Sequence, residues 1–195
     1  MKKVALVVIV AFLFVGCAQQ VYLKKSPSEL VLTSIKSDNN KKVSYTFTSR
    51  IPDVLELRDY YQFDVNATYI SNLKIYMNTK YSVMENDSVK IEFILISCSQ
   101  TMRNANSGLQ NTSNVLGALA GSSSTPMYTN IALTTEINLK VIVKKGESVL
   151  SEKDIFTTDE YNGNNNNSQV AAASFDQAIG KSIIMIDKFL TSLEI

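Results

Sequence analysis

The feature that most constrains this chain is its N-terminal stretch, residues 1–16, which is followed directly by Cys17. Lys2 and Lys3 form a short basic region, and residues 4–15 are an uninterrupted apolar run. A basic start, an apolar run of this length and a small residue before the cleavage point are typical of a secretory signal peptide. A permanent transmembrane helix needs about 20 apolar residues, so this run is too short for one. The sequence therefore predicts an exported protein.

The residues around the predicted cleavage point add a second signal. The order Phe14, Val15, Gly16, Cys17 resembles the lipobox of bacterial lipoproteins, with Phe14 where leucine is usual. The resemblance implies that the Cys17 thiol receives a diacylglyceryl group and that cleavage falls between Gly16 and Cys17. It also implies that the new amino group is acylated, for example with palmitate. The alternative is an ordinary signal peptide with an incidental cysteine.

A lipid on Cys17 would fix the location of the mature protein. Two or more acyl chains anchor a protein stably, whereas one chain holds it only marginally. An aspartate directly after the lipidated cysteine resembles an inner-membrane retention signal, and this chain has Ala18 at that position. We therefore expect the protein at the outer membrane, on its periplasmic face. Residues 17–28 are polar and contain Pro27, which predicts a lipidated tether. Residues 29–195 are then a single domain.

Charge excludes one class of partner. Removal of residues 1–16 takes away Lys2 and Lys3, which leaves 17 of the 19 basic residues against 18 acidic ones, a net charge of about −1. Nucleic-acid binding depends on clustered Lys and Arg that release counterions from phosphate. The longest basic runs here are isolated pairs. The sequence therefore predicts no nucleic-acid partner.

Catalytic and metal-binding chemistry is poorly represented. The chain has no histidine, and Cys98 is the only cysteine besides Cys17, so Cys-His and Ser-His pairs and histidine metal sites are excluded. Cys98 shares one side of an alternating apolar segment with Ile94 and Ile96 and is predicted to be a buried small hydrophobe. The carboxylates of Glu136, Glu152 and Asp154 could in principle perform acid/base work, but Glu136 is predicted to be exposed. We expect no enzyme activity, no metal and no cofactor.

Hydrophobic periodicity gives the order of the elements. Residues 50–65 fit either a helix or a strand and are left unassigned. In the first helix, Ile70, Leu73 and Met77 are predicted to face the core, flanked by Tyr69 and Tyr76. The predicted elements are strands at 30–36, 43–49 and 89–98, helices at 66–80 and 168–193, and a β-hairpin of strands 131–143 and 148–156, which a polar loop at 161–167 follows.

A long polar segment, residues 99–129, interrupts this pattern and is predicted to be a loop. Ser, Asn, Gly and Thr dominate it, around one apolar island at 115–121. A connection this long in a compact domain is normally functional or disordered. Val115, Leu116 and Leu119 of the island are therefore the candidate contact residues for a partner; the alternative is a loop without a binding role.

The element order predicts an α+β fold, with a mostly antiparallel sheet and two helices packed on one face. With the lipobox, the segments INLKVIVKKGESVLSEKDIF (137–156) and AAASFDQAIGKSIIMIDKFLTSL (171–193) resemble small envelope lipoproteins of Gram-negative bacteria. These include the YajG-like lipoproteins, the auxiliary lipoproteins of lipid-trafficking ABC transporters and the lipopolysaccharide-assembly lipoprotein LptE. The resemblance is architectural and covers mainly residues 130–195 and the signal peptide.

The resemblance implies a membrane-anchored, non-enzymatic accessory of an outer-membrane assembly or lipid-trafficking complex. Such a protein would be held in the membrane by its N-terminal lipid and would bind an envelope protein partner. The alternative is a structural or surface-exposed lipoprotein that contacts other envelope or host components. A shared fold does not fix a shared function, so the sequence leaves both open.

Overall fold

Five strands form the main sheet of the protein in a computed structural model. The structure describes residues 19–25, 27–35, 37, 40–57, 61–85, 88–104, 131–163 and 168–194. In this part the helices are α1 (Glu29–Ser34), α2 (Val65–Lys80) and α3 (Ser168–Ser192). The strands are β1 (Gln19–Val21), β2 (Lys42–Ser49), β3 (Val54–Leu57), β4 (Tyr61–Asp64), β5 (Ser82–Val83), β6 (Val89–Asn104), β7 (Ile131–Lys145) and β8 (Ser148–Gly163).

The predicted α+β class is confirmed. The main sheet has the order β5-β2-β6-β7-β8. Its three longest strands, β6, β7 and β8, pair antiparallel, while β2 pairs in parallel with both β5 and β6. Helices α2 and α3 cover one face of this sheet. The inner-facing residues of β7 alternate with outer-facing ones, as the period of two predicts; the buried ones are Leu133, Thr135, Ile137, Leu139, Val141 and Val143.

The opposite face of the sheet carries charged pairs. The Glu92 carboxylate forms ion pairs with the ammonium groups of Lys144 at 2.9 Å and Lys90 at 3.2 Å. The Lys140 ammonium group pairs with the Glu152 carboxylate at 3.1 Å. The lysines, with Lys144 first, lower the pKa of the Glu92 carboxyl. This face therefore carries a network of charged side chains, in contrast to the largely apolar inner face.

A β-bulge in β6 changes which residues of this strand face the helices. Leu95 pairs with Leu139 and Ser97 with Asn138, so Ile96 is an extra residue without a position of its own in the ladder. An extra residue reverses the alternation beyond it. Cys98 therefore rejoins the inner face and is buried, as predicted for this cysteine, but its neighbours there are not Ile94 and Ile96.

The β7–β8 hairpin and the C-terminal helix follow the prediction closely. Gly146 adopts a positive φ of 59° in the turn, a conformation that glycine reaches without a steric penalty. Helix α3 then lies across the inner face of the sheet. Its buried residues recur at steps of three and four, and they include Phe175, Ile179, Ile183, Ile186 and Leu190.

Helix α2 presents a different face from the predicted one. Leu73 and Met77 are buried as expected, but Ile70 is 42% exposed and Tyr69 and Tyr76 are fully buried. A buried tyrosine needs a partner for its hydroxyl, and α3 supplies both. The Tyr69 hydroxyl lies 2.5 Å from that of Ser182, and the Tyr76 hydroxyl donates to Asp187 at 3.2 Å.

A buried ion pair joins the C-terminal ends of these two helices. The Lys80 ammonium group, only 6% exposed, contacts the Asp187 carboxylate at 2.5 Å and donates to the Thr191 hydroxyl at 2.7 Å. It also lies 5.7 Å from the centre of the Tyr81 ring. Asp187 thus receives hydrogen bonds from both Lys80 and Tyr76, so this pair fixes α2 relative to α3.

The unassigned segment 50–65 supplies two strands, β3 and β4, of a second, three-stranded sheet with the order β1-β4-β3. Strand β1 pairs in parallel with β4, from Gln19 opposite Tyr61 to Val21 opposite Phe63. Phe63 packs against Phe175 of α3 with ring centres 4.8 Å apart. This sheet therefore attaches the N-terminal part of the chain to α3.

The prediction of a free tether over residues 17–28 is wrong for the part that the structure describes. Residues 19–21 form β1, and the side chains of Val21, Leu23 and Pro27 are buried. Apolar burial and strand pairing outweigh the polar composition that favoured a linker. The folded domain therefore includes residues 19–25, 27 and 28 of the predicted tether.

The predicted strand at 30–36 is also wrong, because residues 29–34 form α1. Ser28 caps this helix, because its side-chain hydroxyl accepts a hydrogen bond from the backbone amide of Val31 at 3.4 Å. Val31 and Ile35 are buried, and a separation of four residues places both on one helical face. The β-branched composition favoured a strand, and packing against α3 overrode it.

The predicted loop at 99–129 begins later than expected, because β6 continues to Asn104. Its residues pair with β7 up to Asn104 opposite Ile131. Residues 105–130, with Val115, Leu116 and Leu119, lie outside the described residues, as do Gly16 and Cys17. The polar loop predicted at 161–167 is strand up to Gly163.

The ion pair gives a stability prediction. Removing one partner of a buried pair costs about 3–5 kcal/mol, and Asp187 retains 20% exposure, so Lys80→Met should lower the free energy of unfolding by about 2–4 kcal/mol. Adding Asp187→Leu should restore part of this loss. Urea unfolding of the two single variants and the double variant measures the coupling.

The matched control is Lys140→Met, which breaks the exposed pair with Glu152 and should cost less than about 1 kcal/mol. If the double Lys80/Asp187 variant loses the sum of the single losses, the two residues are not coupled, and the proposed contact between the helices is wrong.

Candidate functional site

The outer side of α3 carries a cleft that the sequence analysis did not identify. The N-terminal segment (residues 19–25), α1, α2 and α3 line this open cleft, whose volume is about 370 Å³. Helix α1 approaches α3 closely at Gly180, where a Cβ would lie 3.2 Å from a methyl carbon of Val31. Its lining includes Lys24, Val31, Asn72, Asp176, Lys181 and Ile184.

Asp176 is the acidic group of this cleft. Its side chain is half-buried, and its carboxylate accepts a hydrogen bond from the backbone amide of Lys24 at 3.2 Å. Burial raises the pKa of the Asp176 carboxyl above its usual range, although the hydrogen bond and the charge of Lys24 oppose the shift. The carboxylate therefore holds the N-terminal segment against α3 at a cost in desolvation.

Lys181 is the basic group, and two contacts fix it. Its ammonium group donates to the Asp159 carboxylate at 2.8 Å and to the Thr158 carbonyl at 2.9 Å. A second cavity of about 340 Å³ begins on the other side of Lys181 and Ile184 and is also lined by Met185 and Phe156. Because both cavities share Lys181 and Ile184, they form one surface, the α3 groove.

The α3 groove combines apolar side chains with charge at its rim. Its apolar lining residues include Val31, Ile184 and Met185, with Phe156, which is 55% exposed, at its edge. An exposed apolar patch with polar surroundings is typical of a contact surface. The groove can accept an apolar group of a partner; a lone half-buried carboxylate and a paired lysine do not form an acid/base or nucleophilic constellation.

Glu136 is not brought together with Glu152 and Asp154, the other two predicted carboxylates. Glu136 is exposed, as predicted. It pairs in the sheet with Thr158, whereas Glu152 is held by Lys140 and Asp154 lies opposite Lys140. Within the described ranges there is no group of three or more His, Cys, Asp or Glu side chains that could hold a metal ion.

Cys98 is in an unreactive position. The side chain is buried, and burial raises the pKa of its thiol to about 12. The thiolate is the reactive form of cysteine, and at neutral pH this thiol stays protonated. The predicted role of Cys98 as a small buried hydrophobe agrees with this environment.

Among the described helices, none has the length and apolarity needed to cross a bilayer. Gly16 and Cys17, on which the predicted lipid anchor depends, lie outside the described residues, and so do Val115, Leu116 and Leu119. The described residue that comes nearest to Cys17 along the chain is Gln19, the first residue of β1.

Comparisons with known proteins give weak similarities. No protein-family model and no curated protein matches the sequence. A Xanthomonas campestris protein described by the DUF330 family model is 11% identical with a TM-score of 0.46, covering 89% of this chain and 94% of its own. A minor lipoprotein from Acinetobacter baumannii is 11% identical (TM-score 0.43; 79% and 92% covered), and rare lipoprotein B from Shewanella oneidensis is 10% identical (TM-score 0.44; 78% and 99% covered).

The environment of Asp176 predicts a pH-dependent effect. A raised folded-state pKa means that ionising this carboxyl destabilises the native protein, so its contribution to stability is present below the unfolded pKa and is lost as the pH rises. Asp176→Asn keeps an acceptor for the Lys24 amide and removes the charge. The variant should therefore be more stable than the wild type at pH 7.

Urea unfolding at pH 7 and below the unfolded-state aspartate pKa, about 3.9, checks this. The stability difference should shrink at the lower pH, where the wild-type carboxyl is protonated in both states. A variant less stable than the wild type at pH 7 would mean that the ionised carboxylate stabilises the native protein.

Proposed function

We propose that this protein is a lipid-anchored, non-enzymatic lipoprotein of the outer membrane, facing the periplasm, and an accessory of an outer-membrane assembly or lipid-trafficking complex. The observation that carries the proposal is the order Gly16, Cys17 after a basic start and a short apolar run. That order provides a thiol and, after cleavage, an amino group for acylation at the same residue.

The chemistry of the described domain supports a non-enzymatic role. The chain has no histidine, Cys98 is buried with a raised thiol pKa, and the carboxylates of Glu136 and Glu152 do not meet. Asp176 is engaged with the N-terminal segment. In the part of the chain that the structure describes, these candidate bases and nucleophiles are thus separated, buried or already hydrogen-bonded.

The partner contact is assigned to two candidate surfaces. The first is the apolar island with Val115, Leu116 and Leu119, inferred from the sequence. The second is the α3 groove around Ile184. Both would place apolar side chains against an envelope protein, which is how most stable interfaces gain their free energy.

The anchor is tested with Cys17→Ala. The variant should lack incorporated palmitate, should remain unprocessed and should not sediment with outer-membrane fragments after an alkaline carbonate wash that strips peripheral proteins. Cys98→Ala serves as the matched control, because it removes the other cysteine and should leave labelling and membrane retention unchanged. Labelling and retention of the Cys17→Ala protein equal to those of the wild type would overturn the anchor.

The partner is tested by purifying the lipidated protein from gently solubilised membranes and identifying the co-purifying proteins by mass spectrometry. We expect components of a transport or assembly complex. Ile184→Glu and a triple serine variant of Val115, Leu116 and Leu119 distinguish the two surfaces, with the exposed substitution Glu136→Gln as control. Recovery of surface or host proteins alone, with no transport or assembly component, would favour the structural lipoprotein instead.

A further inference from the structure

The N-terminal segment, residues 19–25, is firmly bound to the domain. It pairs with β4 through β1, and Val21 and Leu23 are buried at 9% and 5% exposure. These contacts start at the first described residue. The segment is therefore part of the folded domain and not a spacer.

Three hydrogen bonds hold the end of this segment against two helices. The Lys24 amide donates to Asp176 of α3 at 3.2 Å, and the Lys24 carbonyl accepts from Asn72 of α2 at 3.0 Å. The Lys25 carbonyl accepts from Ser71 at 2.6 Å. Because these bonds join parts of the chain far apart in sequence, they resist release of the segment by local fraying.

The covalent chain sets the distance between the anchor and the domain. Consecutive Cα atoms are 3.8 Å apart, so Gln19 lies within about 7.6 Å of Cys17 and Gln20 within about 11 Å, whatever the conformation of Ala18. The headgroup layer on each side of a bilayer is about 5–8 Å thick. Acyl chains on the thiol and the amino group would hold the Cys17 backbone at the inner boundary of that layer.

We infer that the lipid on Cys17 holds the domain directly on the bilayer, with the N-terminal end of β1 in or against the headgroups. The inference rests on the proposed lipid anchor and adds to it the orientation of the domain. The surface that meets the lipid includes Gln19 and the start of β4 at Tyr61, which pairs with it.

The exposed side of the N-terminal segment suits a position beside the headgroups. Gln20 and Tyr22 alternate with the buried Val21 and Leu23, and Tyr22 is 76% exposed. Tyrosine is enriched at membrane interfaces, because its ring is apolar and its hydroxyl can reach water. An exposed tyrosine five residues from the lipid therefore has a favourable environment beside the bilayer.

The far end of the domain provides a control position. Phe63 of the small sheet contacts Phe175, while Lys153 of β8 lies 5.6 Å from the centre of the Phe189 ring. Phe175 and Phe189 are 14 residues apart on α3, about 21 Å at 1.5 Å per residue. Val149, which is 55% exposed, lies beyond Lys153 toward the hairpin turn.

The test uses tryptophan, which the chain lacks. Lipidated Gln20→Trp and Val149→Trp proteins are placed in phosphatidylethanolamine and phosphatidylglycerol vesicles that contain a lipid with a nitroxide on its headgroup. Both proteins should float with the vesicles. The nitroxide should strongly reduce tryptophan emission in Gln20→Trp and leave that of Val149→Trp nearly unchanged.

An insertion tests whether the short link causes the proximity. Ten Gly and Ser residues between Ala18 and Gln19 add a mean span of about 17 Å, and the Gln20→Trp protein carrying them should still float but lose most of its quenching. Failure to float would overturn the anchor itself. Flotation with equal quenching at the two positions, or quenching that the insertion does not reduce, would overturn only the direct seating of the domain.

Discussion

The packing of α3 against the inner face of the main sheet is the contact on which the rest of the structure depends. Phe175, Ile179 and Ile183 of α3 are buried. Helix α2 joins the same helix through Tyr69, Tyr76 and Lys80, and the small sheet joins it through Phe63. Loss of α3 would remove all of these contacts.

The polar contacts of α3 give this packing a defined orientation. Apolar burial is non-directional, whereas the Ser182, Asp187 and Asp176 side chains each form hydrogen bonds with particular residues of another element. The first two fix α2, and the third fixes the N-terminal segment. All three are single polar residues that lie between apolar residues of α3.

One-sided periodicity made much of the fold predictable. Strand β7 and helix α3 each bury a single face, so every second residue or every third and fourth residue identifies them. The prediction failed where packing overrode local preference. Helix α1 has a β-branched composition but buries Val31 and Ile35 against α3, and the bulge at Ile96 shifts Cys98 to the inner face without any strong local signal.

The two parts of the candidate site differ in what the sequence can indicate. The lipid site proposed at Cys17 rests on its immediate neighbours in sequence, whereas the α3 groove brings together Lys24, Asp176 and Ile184, which are distant in sequence. Ser28 and Pro27 before α1, and the polar residues Asp176 and Lys181 on α3, were the available local signals, but none of them specifies a contact at long range. Such a site requires the tertiary structure.

The central structural claim is that residues 19–25, which follow the proposed lipid site so closely, belong to the folded domain, and hydrogen–deuterium exchange of the folded protein tests this claim most directly. Backbone amides bonded within a stable unit exchange only when that unit opens. The account predicts slow exchange in residues 19–25, at the level of β4 and the start of α2. Exchange of this segment at the rate of an unstructured peptide would show a free tether and contradict the account.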